Sequence, residues 1–463
     1  MAWVGDLTQV GLADALTTWF GPPASSPRRR DDARGASDLT KALSTPYRGR
    51  LLVLVATAGA VYLLSTRSGL SFTPDSWAYW EGSVSLLEGC GLRYVGGQPI
   101  TDWPPLFFWY LAAVQAVFGK SVFALTLACT VLLAASVLGW AKLVLRTHGS
   151  WNRFSVASAA YIALFVIPWY GVLLSELLAL AILPSLLLEL LDIVERDEVR
   201  KVQAIRVLLF CTALLLTRHA SLALVPAIAF IPIVSGTVTS ARFLPTAASL
   251  GAVAVWASVN WWLQVPTDAR ASSLDVASIG SRSAEAVLGF GWLLATTRWG
   301  LDNLAVAMVA TAIGLSFFSR TNLSVQWVTI RSLLLFAGIS FVSLVILLAV
   351  SNPADRAAGR FLLHFVPIII VAVSAAGSAG PAAWLRRLVV VTLLFLLGVQ
   401  SARVAVLVAN GSWDTWGPVL PATGRLTTYA QSDTDLVRVP DFPWVSRDRN
   451  TRCGSSRSQS MVR

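Results

Sequence analysis

The sequence predicts an all-α, polytopic transmembrane bundle of about 10–12 helices, each long enough for a hydrocarbon core of roughly 30 Å. Three observations predict it. The chain has 463 residues, of which 55% are hydrophobic and 13% charged, with a mean hydropathy of +0.65; soluble domains carry about 25% charged residues. Apolar runs of membrane-spanning length recur through most of it. The net charge is +11, and Lys and Arg gather in loops, the pattern of cytoplasmic retention. This balance excludes a cytosolic enzyme, a disordered chain and a secreted disulfide scaffold. It also explains the basic charge without nucleic acid as a partner. In lipid every backbone polar group must be satisfied internally, so each span is a helix or backbone buried in protein.

Residues 1–50 form a cytoplasmic N-terminal arm, with Pro22, Pro23 and the Arg28-Arg29-Arg30 run. Residues 1–20 lack the basic start and apolar centre of a cleaved signal. Residues 51–408 form the membrane domain. Its first span runs from Leu51 to about Leu70. The basic arm holds the N-terminus inside, so residues 71–103 form the first extracytoplasmic loop. Further apolar runs lie near 104–119, 121–145, 154–170, 171–191, 207–235, 243–263, 301–318, 332–350, 361–378 and 388–408. The charged stretch 192–201, then Arg242, Arg320 with Arg331, and Arg386 with Arg387 fall at alternate loops, all inside. That leaves 264–298 and 351–360 outside, with a short extracytoplasmic tail over 409–463. The alternation makes 104–119 enter and leave on one side, as a short re-entrant or surface helix, unless the Arg146–Arg153 loop breaks the rule. The run 207–235 is broken by Thr217-Arg218-His219. A hairpin with Arg218 at its outer turn avoids a charge in mid-bilayer.

Four cysteines are present. Cys129 and Cys211 lie in apolar runs and read as small core residues. Cys90 and Cys453 fall outside the membrane, where an oxidising compartment allows a bridge. No spacing framework supports a pair, and free thiols are the expectation.

Chemistry concentrates in the first loop. It reads Ser71-Phe72-Thr73-Pro74-Asp75-Ser76-Trp77-Ala78-Tyr79-Trp80-Glu81, then Leu86-Leu87-Glu88-Gly89-Cys90-Gly91-Leu92, and closes on Thr101-Asp102-Trp103-Pro104-Pro105-Leu106-Phe107. Pro74 and Asp75 suit a helix start, with Asp75 at its positive end and Tyr79 one turn along. A carboxylate there serves as a general base or, more plainly, as an N-cap.

This loop resembles that of the GT-C glycosyltransferases, in particular the bacterial family-39-like and protein-mannosyltransferase-like branch. The matching pieces are Pro74-Asp75-Ser76 with Tyr79, the Leu-Leu-x-Gly-x-Gly-Leu turn at 86–92, and Trp103-Pro104-Pro105-Leu106-Phe107. Downstream, Ser175-Glu176 resembles the family's Ser-Glu-Pro segment, with Leu177 for Pro. Thr217-Arg218-His219 resembles its Thr-Arg/Lys turn. Gly359-Arg360-Phe361-Leu362-Leu363-His364 resembles its Arg-Tyr-Leu-Leu-Pro helix start, with His364 for Pro. The resemblance spans roughly residues 50–410.

The resemblance implies transfer of a sugar from a polyprenyl-phosphate donor to an extracytoplasmic acceptor (a cell-envelope glycan, lipid or protein) by single displacement. It places the site on the outer side of a multi-pass plasma-membrane protein. Asp75 matches the expected base. Arg360 and Arg218 are the candidates for the donor phosphate, since the planar guanidinium binds two oxygens. Their plainer readings are an interfacial anchor and half of an intramembrane ion pair. Glu176 and Asp102 are candidates for orienting the acceptor or a metal. Some family members use a divalent cation and others do not. No His/Asp cluster in the chain specifies one, and His219 and His364 read as structural imidazoles. Trp77, Tyr79 and Trp103 are candidates for stacking on sugar, or are interfacial and core aromatics. Two other classes compete. A transporter or flippase calls for mid-membrane polar residues and repeated halves, neither of which is evident. A non-catalytic membrane protein on a GT-C scaffold would tolerate loss of Asp75.

Overall fold

The computed structural model describes residues 45–94, 99–101, 103–195, 199–230, 240–263, 325–350, 362–379, 383–410 and 419–420, with scattered helical residues from 283 to 313. Twelve α-helices are described in chain order. They are α1 (Thr45–Ser65), α2 (Pro74–Leu87), α3 (Leu106–Phe118), α4 (Val122–His148), α5 (Arg153–Tyr170), α6 (Glu176–Glu195), α7 (Lys201–Thr217), α8 (Leu224–Ala229), α9 (Leu244–Trp262), α10 (Val325–Val350), α11 (Phe365–Ala379) and α12 (Ala383–Asn410). By length and composition, seven of the described helices suffice to cross a membrane: α1, α4, α5, α6, α9, α10 and α12. Residues 301–318, another expected span, lie largely outside the described residues. The chain is a multi-pass membrane protein.

α1 begins and ends several residues earlier than the apolar run predicts. The Ser65 and Thr66 hydroxyls both donate to the Tyr62 carbonyl, at 2.8 and 2.9 Å, and close the last turn. The chain leaves in a short strand, β1 (Leu70–Ser71), antiparallel to β2 (Val419–Leu420). Ser71 N–H also donates to Gly171 O at 2.9 Å. The residues just after α1 are therefore pinned between those before α6 and those after α12. Arg67 reinforces this, donating to the last carbonyls of α12, Val408 O and Ala409 O. A cation is favoured at a helix C-terminus.

α3 is the short apolar helix within 104–119. Its 13 residues rise only about 20 Å, short of the hydrocarbon core. α3 instead packs along α2. The Gln115 amide donates to Ser83 Oγ at 2.7 Å. Gly82 lets the helices approach, because a Cβ there would lie 2.5 Å from the buried Phe108 ring and 2.7 Å from Ile100. Gly82→Ala should therefore push α2 from α3 and lower stability by about 1–3 kcal/mol, the range for overpacking. Thermal melting of the purified protein reads this, and an unchanged melt would contradict the packing account.

The central helices close on each other through backbone as well as apolar contact. Pro184 inside α6 has no N–H for the Leu180 carbonyl one turn back. Trp140 Nε1 of α4 donates to that carbonyl at 3.1 Å. Gly139 makes room for the Pro184 ring, which would sit 2.7 Å from a Cβ at that position. At the far end of α6 its carboxylates are paired. Arg146 of α4 binds Asp192 at 3.1 Å and also Glu195, which accepts from Thr329 of α10 at 2.9 Å. The 20 residues of α6 rise about 30 Å, so this charged end lies a membrane's thickness from Glu176.

Cys129 and Cys211 are buried free thiols, as the apolar runs predict. Cys90 is disulfide-bonded, against the expectation of a free thiol. Cys453 lies outside the described residues. Cys90 should take up a maleimide only after reduction, measured by mass; labelling of the unreduced protein at Cys90 would contradict the bond.

Candidate functional site

The site is built where the start of α2 meets the start of α6 and the end of α7. α2 begins on a reciprocal cap. Thr73 is the N-cap, its Oγ1 accepting from Ser76 N–H at 3.2 Å, while Ser76 Oγ accepts from Thr73 N–H at 3.0 Å. Thr73 thus fills the capping role that Asp75 was equally suited for by type. Asp75 lies in the first helical turn, half-buried, at the positive end of the helix dipole. The dipole favours the carboxylate, and its capping duty is done by another residue.

One turn on, Tyr79 points inward. It is 2% exposed, with ring contacts to Phe107, Phe108 and Trp103 at centroid distances of 4.9, 5.0 and 6.1 Å. Its hydroxyl donates to Ser175 Oγ at 2.8 Å. With its ring enclosed by protein, Tyr79 offers a hydroxyl within the fold rather than a stacking face. Burial pushes its hydroxyl well above the ordinary tyrosine range, and the charges of Glu176 and Asp75 push the same way. Both carboxylates therefore act on one buried phenol.

Ser175 passes the link on. Its hydroxyl lies 3.4 Å from Glu176 Oε2, and Glu176 Oε1 lies 2.8 Å from Arg218 Nη1. The ion pair is almost wholly buried, at 3% side-chain exposure for Glu176 and 7% for Arg218. Sequence dictates this placement. β1 and Ser71 tie the α2 start to residues 171–172, which lead into Glu176. Arg218 is the extended residue that ends α7, its N–H on Leu214 O at 2.9 Å, before a 3₁₀ turn over His219–Ala223. The helical break predicted at Thr217-Arg218-His219 is present. His219 packs edge-on to Trp256 at 5.6 Å.

The structure thus joins Tyr79, Ser175, Glu176 and Arg218, with Asp75 one turn before Tyr79 on α2. Trp77 is half-buried beside Phe72 and Trp80, and Trp103 is half-buried between Tyr79 and Tyr94. Asp102 and Arg360 lie outside the described residues; His364, four residues past Arg360, is buried. Among the described residues, no three His, Cys, Asp or Glu side chains come together as a metal set. Ser175 is the functional neighbour that sequence reasoning quoted but gave no role. A hydroxyl beside a buried carboxylate was the available signal.

Beyond the 3₁₀ turn lies an apolar cavity of about 870 Å³, walled by Pro226, Phe230, Leu334, Phe341, Phe365 and Ile369 among others. It lies between α8, α10 and the start of α11, and Pro226 is eight residues from Arg218 in the chain.

No protein-family model matches the sequence, and no curated protein does. Solved structures do match. The crystal structure of ArnT from Cupriavidus metallidurans bound to undecaprenyl phosphate aligns with a TM-score of 0.51 at 13% identity, over 78% of this chain and 74% of that one. The apo ArnT structure aligns at 0.40 and 14% identity, over 79% and 78%. The cryo-EM structure of the arabinofuranosyltransferase AftD from Mycobacteria aligns at 0.35 and 18%, over 74% of this chain and 27% of that one. The likeness to the ArnT complex is one of fold, and fold and activity are separate matters. In fold, the chain is similar to the ArnT complex.

Proposed function

We propose that the chain transfers a sugar from a polyprenyl-phosphate donor to an acceptor hydroxyl on the extracytoplasmic side. The carrying observation is that Tyr79, one turn after Asp75 on α2, is tied through Ser175 to the buried Glu176–Arg218 pair, a helix length away from the charged end at Arg146. Each part has work in a single displacement. Asp75 takes the acceptor proton as the acceptor oxygen bonds to the anomeric carbon. The bond from that carbon to the phosphate oxygen breaks on the opposite face, and the carrier leaves as a polyprenyl monophosphate. Such a step needs a base in hydrogen-bond reach of the hydroxyl and positive charge at the leaving phosphate. Arg218, with Arg360, supplies the charge.

The apolar cavity beyond the 3₁₀ turn that follows Arg218 supports a lipid donor, because it can take an apolar chain. The ArnT structure of the same fold holds undecaprenyl phosphate, which fits a carrier of that class. Glu176 is the partner of Arg218 in this arrangement, and Asp102 keeps the acceptor-orienting role given by the resemblance, as do Trp77 and Trp103 for the sugar face. The arm of residues 1–50 is placed in the cytoplasm, 51–408 in the membrane domain, and the tail from 409 outside. The β1–β2 pairing supports the last placement, since it sets residues 419–420 beside the start of the first loop.

Purified protein given a panel of polyprenyl-phosphate sugars and envelope acceptors should release polyprenyl monophosphate with transfer of the sugar. Donors that bind without ever being cleaved would overturn the enzyme reading in favour of a transporter or a non-catalytic scaffold.

A further inference from the structure

We infer that the N-terminal ends of α1, α5 and α12 form one binding surface for the headgroups of anionic phospholipids. This surface lies at the end of the bundle away from the candidate site and does not depend on the sugar-transfer reading.

The three helices pack on one another and run parallel. Arg67, just after α1, binds the last carbonyls of α12, and Ser71 N–H donates to Gly171 O, just after α5. Their C-terminal ends are therefore gathered on the side of the candidate site, and their N-terminal ends lie together at the opposite end. A hydrogen bond fixes the latter for α5 and α12. Asn152, the N-cap of α5, donates from Nδ2 to Ser378 Oγ at 3.1 Å, five residues before Ala383 opens α12.

A helix N-terminus carries partial positive charge, and acidic side chains are its usual complement. Here the first turns hold none, and none of the three helices contains an Asp or Glu at all. They carry arginine instead: Arg48 and Arg50 in α1, Arg153 in α5, Arg386 and Arg387 in α12, all exposed. Among the described residues no carboxylate pairs with any of the five. The α6 side of the same end differs, since Arg146 holds Asp192 and Glu195, and Arg206 holds Glu189 at 2.9 Å. Helix dipoles and guanidinium groups thus add to one positive field with no counter-charge among the described residues. The level suits lipid headgroups. The stretches apolar enough to span begin at Arg48, Arg153 and Ala383, and Trp384, 54% exposed, is an aromatic of the kind that favours the interface. A guanidinium fork binds phosphate oxygens in pairs. Phosphatidylglycerol offers a phosphodiester with one net negative charge. Phosphatidylcholine carries the same phosphodiester cancelled by its own ammonium. The surface therefore selects the first.

The test gives the full chain, in a neutral detergent, an equal mixture of phosphatidylglycerol and phosphatidylcholine with the same acyl chains. Native mass spectrometry counts the molecules of each that stay bound, and their ratio is the readout. The wild type should favour phosphatidylglycerol about fivefold or more, the worth of one cation near an anionic lipid surface. Arg386→Gln/Arg387→Gln should lower the ratio about fivefold, toward equal binding. Arg200→Gln/Lys201→Gln removes the same charge from the start of α7, at the same end but on the side of the paired α6 carboxylates, and should keep the wild-type ratio. A wild type without preference overturns the inference and leaves the surface to the chain's own arm or to an acidic protein. An unchanged ratio in Arg386→Gln/Arg387→Gln overturns it too. So does an equal fall in the control, which would mark diffuse charge. All four substituted residues are exposed, so the variants keep the fold. None lies in the candidate site, so failure here leaves the sugar-transfer reading standing, and failure of that reading leaves this surface.

Discussion

Arg218→Met lowers the stability of the chain by about 3–5 kcal/mol, the range for removing one partner of a buried ion pair. Methionine keeps the length and apolar stem, so the loss isolates the charge. Glu176 is 3% exposed and keeps its carboxylate in a setting where water does not replace the guanidinium. The penalty is mostly the cost of that orphaned carboxylate, not the worth of the pair. The double variant Glu176→Gln/Arg218→Met should therefore recover most of the loss. Thermal melts of wild type, single and double variants in one detergent measure it. A single variant that melts with the wild type would contradict the buried pair, and a double variant no better than the single would contradict its cause.

The second large effect is on activity. Asp75→Asn should cut sugar transfer by about 100-fold or more, the range for a lost general base. The amide has the shape of the carboxylate but no basic oxygen for the acceptor proton. The fold should not notice. The cap of α2 is made by Thr73 and Ser76, whose hydroxyls exchange bonds with each other's backbone, and Asp75 is half-buried at its edge. Donor binding should also survive, because the phosphate is assigned to the arginines. Steady-state transfer and direct donor binding, measured on the same preparation, separate these. A variant that loses donor affinity in proportion to rate would move Asp75 from the chemistry to binding.

Much of the fold was legible because lipid leaves the backbone few choices. Apolar runs of sufficient length became α4, α5, α6, α9, α10 and α12 close to where they were read. The break at Arg218 was legible from the cost of a charge in mid-bilayer. The short α3 was legible from the short apolar run at 104–119. The ends of α1 were not. Hydropathy marks where a chain prefers lipid, whereas the helix ends where Ser65 and Thr66 turn back on Tyr62. The site was legible as a set of residue types near one surface. Its wiring was not. Tyr79 read as an aromatic face near a sugar; the packing of Phe107 and Phe108 around it made it a buried donor to Ser175. Glu176 and Arg218 lie 42 positions apart, and only the packing of α6 against α7 brings them to 2.8 Å. The bond at Cys90 was likewise hidden, because the cysteine spacings carry no framework.

The most direct test of the account is a single-turnover measurement. Wild type and Asp75→Asn are each loaded with a labelled polyprenyl-phosphate sugar, then mixed with acceptor, and release of polyprenyl monophosphate is timed. The account predicts acceptor-dependent cleavage by the wild type, with the label transferred to the acceptor, and a folded variant that stays loaded and cleaves at least about 100-fold more slowly. Cleavage by Asp75→Asn at the wild-type rate would contradict the role of Asp75, and a loaded wild type that never cleaves would contradict the function itself.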